Sequence, residues 1–187
     1  MAAREQLAAD QHEILTVAAL EKPLSISVDD GCIRGSYSAP WGPFDGYHWQ
    51  CRLATSWVVG SVLEDPALLI EAYRAHVSAI GCEPDTAAFD QVTSYWQMYG
   101  VTGQTDTGEP YTVDSLPPAN AWCPDGVQLA LTFGSSAAFE LPDLIGVAEY
   151  EGEQIEVRAH DLAAVQGSES TLVVTLSMWD VYHEVPR

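Results

Sequence analysis

The chain is short of positive charge: a single lysine, Lys22, and seven cationic residues in all stand against 27 acidic ones, for a formal net charge of −20. Binding to phosphate depends on Lys and Arg displacing counterions, so nucleic acid and anionic membrane surfaces are poor partners. Long apolar runs are missing too. No stretch of about 18 or more apolar residues is present, hence no transmembrane segment, and the N-terminus lacks the basic region and short apolar core of a signal peptide. The motifs of common site chemistry are also absent: no C-x-x-C pair for zinc, no H-x-x-x-H or H-E-x-x-H, no G-x-S-x-G elbow, no phosphate-cradling glycine pattern and no EF-hand loop. Neither a cofactor nor a metal is expected.

What the chain does carry is four widely spaced cysteines, Cys32, Cys51, Cys82 and Cys123. An even number with no metal-type pair points to two disulfides and to an oxidising compartment, so the protein is expected outside the cytoplasm, secreted or lipid-anchored at the cell envelope. Export would then require a leader or lipid-anchored segment ahead of Met1, removed from the mature domain. With 187 residues, 47% of them hydrophobic, the chain fits one globular domain spanning 1–187.

Residues 2–20 read as a helix rich in Ala, Leu, Glu and Gln, with Leu7, Gln11, Ile14 and Ala18 along one face and Pro23 closing it. So short a helix is marginal alone and must dock, most simply on a sheet. Residues 32–38 and 47–59 read as strands joined by the Pro- and Gly-rich loop 40–46. In the second, Tyr47, Trp49, Cys51, Leu53 and Trp57 alternate with His48, Gln50, Arg52 and Ser56. This hairpin brings Cys32 close to Cys51. Asp65-Pro66 opens a second helix through about Ile80, stopped by Gly81, after which Cys82 is placed to tie the helix end to Cys123. Four cysteines allow three connectivities, and these two links are the ones expected.

Val92, Thr93, Tyr95, Trp96 and Tyr99 favour a pleated surface, so residues 89–99 read as a strand. Residues 100–118 read as a long loop, given either to binding or to disorder. Three alternating runs follow: Val127, Leu129, Leu131 and Phe133; Ile155, Val157 and Ala159, preceded by a Glu151-Gly152 turn; and Leu172, Val174, Leu176 and Met178. Without regularly interleaved helices a doubly wound parallel sheet is not expected. The expected fold is α+β, a mainly antiparallel β-sheet with two helices packed on one face and two disulfides.

The order of landmarks, a helix, Gly31-Cys32, the segment Gly46-Tyr47-His48-Trp49-Gln50-Cys51, a helix ending in Gly81-Cys82 and a late Trp122-Cys123, resembles uncharacterised exported or lipid-anchored proteins of actinobacteria, which also tend to be acidic and poor in lysine. The resemblance implies location at the cell envelope. It carries no catalytic motif and transfers no functional residue.

The five histidines, His12, His48, His76, His160 and His183, are scattered. His160-Asp161 and His183-Glu184 fall on or beside strands that, as neighbours, would bring two His and two carboxylates together, but exposed polar residues on a strand face are the commoner outcome. Gly134-Ser135-Ser136-Ala137 reads as a turn. Acidic neighbours such as Asp29-Asp30, or Glu149 with Glu151, arise by number alone in so acidic a chain. The aromatics say more, because Trp41 and Phe44 sit in a loop where apolar side chains have little reason to be, beside Tyr47 and Trp49. Trp41, Phe44, Asp45, Tyr47, His48 and Arg52 form the expected partner-binding set. The expected function is a non-enzymatic cell-envelope domain that binds a protein or small ligand. The alternatives are a cytosolic acidic immunity-type protein neutralising a basic partner, and a hydrolase whose site assembles from separated residues.

Overall fold

Alternation at period two puts much of this chain into one sheet. The structure, a computed structural model, describes residues 5–6, 9, 11, 15–16, 20–34, 47–136 and 162–186. Among these, the strands are β1 (Leu20–Arg34), β2 (Tyr47–Ser61), β3 (Glu83–Pro84), β4 (Ala119–Trp122), β5 (Gln128–Ser135) and β6 (Leu172–Pro186). They pair antiparallel throughout, in the order β1-β2-β6-β5-β4-β3. One face is apolar because alternate residues point into it: Leu53, Trp57 and Val59 of β2, Ala119 and Ala121 of β4, Leu129 and Leu131 of β5, and Val174, Leu176 and Met178 of β6, all buried.

Helices α1 (Pro66–Ala79) and α2 (Thr86–Tyr95) share that core. Asp65 caps α1, its carboxylate accepting from the Ala67 N–H at 2.9 Å, and Pro66 occupies the first turn, where its missing N–H costs nothing. The helix stops at Gly81, whose φ of 83° allows the Gly81 N–H to reach the Ser78 carbonyl and the Cys82 N–H to reach that of Val77. Leu69, Ile70, Tyr73 and Val77 of α1 meet Phe89 and Val92 of α2, with the Tyr73 and Phe89 rings stacked 5.7 Å apart. Arg74 lies over the outer side of this contact, 5.2 Å from the Phe89 ring centre and 2.7 Å from Asp90. At the N-terminus Glu5, Gln6, Ala9, Gln11 and Leu15 are helical, and Gln11 and Leu15 are buried.

Both disulfides join the expected partners: Cys32 with Cys51, directly opposite each other on β1 and β2, and Cys82 with Cys123, bridging the end of α1 to the end of β4.

Other expectations need correction. Residues 89–99 are not a strand: α2 runs into a single π-helical turn, Trp96–Gly100. Asp85 caps α2 by accepting from the Ala88 N–H, and burial of Phe89 and Val92 three residues apart outweighs the β-propensity of Val92, Thr93 and Tyr95. The first strand begins at Leu20, not at residue 32, and Pro23 lies inside it at a register irregularity, which an outermost strand tolerates. Residues 100–118 are ordered by their own backbone bonds, among them Thr105 N–H to Glu109 carbonyl at 2.8 Å and Tyr111 N–H to Gly103 carbonyl at 2.9 Å. A further helix, α3 (Leu162–Gln166), packs on the opposite face of the sheet, where Val165 meets Val58 and Val173. The expected strand around residues 155–159 and the turn before it lie outside the described residues, as does His160-Asp161.

Candidate functional site

Three surfaces combine exposed aromatic groups with defined geometry. The first follows from strand length. β1, β2 and β6 each run for 15 residues, whereas β5 has 8 and its first residue, Gln128, pairs with Trp179. Past Trp179, β6 pairs with β2 alone, so the three long strands continue as an arm. Along it Arg34, Trp49 and Val185 fall in one row across the strands, the latter two 41% and 39% exposed. The Cys32–Cys51 link lies in the next row on that face, with His183. A bulge leaves Tyr182 as an extra residue on β6, and its hydroxyl crosses to the Asp30 carboxylate at 2.9 Å. On the other face, Gln50 donates to Glu184 at 2.9 Å.

The second surface is a line across the whole sheet. Successive pairings place Asp29, Ala54, Trp179, Gln128, Trp122 and Glu83 side by side, on the face turned away from the α1–α2 core. The next row reads Ser27, Ser56, Ser177, Ala130 and Asn120, with the Ser56 and Ser177 hydroxyls 3.0 Å apart. Trp179 donates its indole N–H to Gln128 Oε1 at 2.9 Å.

The third is a tyrosine group at the end of α2, with the Tyr99 ring 5.9 Å from Tyr95 and 5.3 Å from Tyr111. Tyr99 donates to Asp106, a bond that raises its pKa; burial raises that of Tyr111, whose hydroxyl has no hydrogen-bond partner among the described residues. Both phenols are therefore held neutral, which suits packing better than proton transfer.

Of the residues read from sequence as a binding set, Trp41, Phe44 and Asp45 lie outside the described residues. Tyr47 opens β2 opposite Pro186; His48 is exposed and Arg52 half-buried on one face of β2, with Trp49 on the other. Ser135 is a strand residue whose N–H bonds to Asp114 at 2.9 Å. Among the described residues no group of three or more His, Cys, Asp or Glu is arranged to hold a metal, and no helix is long and apolar enough to cross a membrane. Sequence reasoning missed the Trp122–Gln128–Trp179 line. Its signal was available: Ala121-Trp122 and Met178-Trp179 each put a tryptophan at the outward position of an alternating strand. No family model, no curated protein and no solved structure matches this chain.

Proposed function

We propose that this is a non-enzymatic extracytoplasmic domain, secreted or lipid-anchored at the cell envelope, that binds a protein partner through the distal arm of its sheet. The observation that carries the reading is the row Arg34, Trp49 and Val185, in which large apolar side chains stay exposed on strands cross-linked by Cys32–Cys51. Aromatic residues and Arg are enriched at protein interfaces, and a cross-linked platform loses little conformational freedom on binding. Two disulfides in one domain support an oxidising location.

The test is a photo-crosslinking residue at position 183, exposed in the neighbouring row on the same face, placed both in the parent protein and in W49S/V185S in cells. A discrete adduct from the parent, absent from the substituted protein, is the expected result. Because both side chains are exposed, the double substitution should cost less than about 1 kcal/mol. Trp41 and Phe44, which the sequence places between β1 and β2, belong in the same series. No adduct from any of these positions, or cysteines that alkylate in intact cells without reductant, would overturn the reading.

A further inference from the structure

We infer that the outward line Trp122–Gln128–Trp179 is a second binding site, for a neutral oligosaccharide. Strands lie ~4.8 Å apart, so the two tryptophans, flanking β5, are rooted about 10 Å apart across the sheet, a span that a short run of linked sugar rings covers. They are 44% and 38% exposed, far more than Ala121 and Met178 beside them, which are buried. Two aromatic side chains with an amide between them suit sugars, whose ring faces are apolar and whose edges carry hydroxyls.

The polar groups are correspondingly arranged. An indole N–H can only donate, so the Gln128 atom it meets at 2.9 Å must be the carbonyl oxygen; the Gln128 NH₂ is then turned to other acceptors. In the adjoining row the short side chain of Ala130 stands between the Asn120 amide and the Ser177 hydroxyl.

Charge selects among sugars. Across these two rows the four inner strands contribute no ionisable side chain, while Asp29 and Glu83 stand at the two outer strands and the whole chain carries −20. A neutral window in so acidic a protein admits uncharged glycans and repels uronic-acid or sulfated ones. The site is independent of the distal arm, so either assignment can fail alone.

The experiment is calorimetric titration of the intact oxidised protein with cellohexaose and with N-acetylchitohexaose, followed by tryptophan fluorescence, with hyaluronan oligosaccharide as the anionic control. Saturable binding of at least one neutral hexamer is expected, with no heat from hyaluronan. W122A and W179A should each weaken binding by about tenfold or more and Q128A by less, whereas W49S should bind as the parent does. Should an alanine variant lose its native circular dichroism, W122F and W179F retain a ring at each position and should retain most of the affinity. Silence with both neutral hexamers, equal binding of hyaluronan, or undiminished binding by the W122A/W179A protein would each overturn the assignment.

Discussion

Gln11 lies in the middle of what the sequence presents as the apolar face of the N-terminal helix, and it is almost fully buried. Its amide donates to the Leu53 carbonyl at 3.0 Å and accepts from the Thr55 hydroxyl, so both ends of the group are satisfied by β2. Q11A removes both bonds and leaves a cavity, and should cost about 2 to 4 kcal/mol in urea unfolding; Q11L/T55V, apolar on both sides, should recover most of that loss. Tyr73 gives a second prediction at this scale. Burial raises its pKa above the usual 10.0, so the fold keeps it neutral while the unfolded chain ionises near that pH. Above about pH 10 the folded state therefore holds more protons than the unfolded one, and stability, complete below that pH, should fall as pH rises. Y73F keeps the stack on Phe89 and should make the fall from about pH 10 to 12 shallower, as measured by urea unfolding across that range. A buried glutamine or tyrosine is legible as a residue on a face. Which backbone group it meets is not, because that depends on the register of another element.

At the scale of elements, legibility follows the dominant periodicity. β5, the first half of β6 and α1 carry alternation or capping strong enough to be read directly, and the β1–β2 hairpin makes the Cys32–Cys51 pairing a matter of geometry. α2 reads wrongly as a strand because its residue types favour strands, although Asp85, Phe89 and Val92 stand at capping and helical spacings. β1 reads too short because Pro23 looks like a terminator and is here a residue of an outermost strand. The two disulfides span 19 and 41 residues, which in the chain-entropy model makes them worth about 3 and about 4 kcal/mol. Denatured, unreduced protein should therefore show no titratable thiols, and C82S/C123S should lower unfolding free energy more than C32S/C51S. Free thiols in that assay would remove both the links and the argument for an oxidising location.

For the whole molecule, charge and topology decide behaviour. With −20 on 187 residues, self-repulsion opposes the compact state, and added salt screens it. The melting temperature should rise between about 20 mM and 500 mM NaCl, and a flat or falling trend would contradict this. The candidate surfaces are only partly legible for the same global reason: Trp122 and Trp179 lie 57 positions apart in sequence and become neighbours only through the strand order. That order also governs how the molecule can be assembled. β6, the last of the described strands, lies between β2 and β5, so until it arrives the β1–β2 hairpin and the β3–β4–β5 group share no ladder among the described residues. Each half contains its own disulfide, and neither link crosses the gap that β6 fills. A chain emerging N-terminus first, from a ribosome or through a translocation pore, can therefore lock both cross-links early, yet keeps the facing edges of β2 and β5 unpaired until β6 is released and inserted as the wedge that joins them.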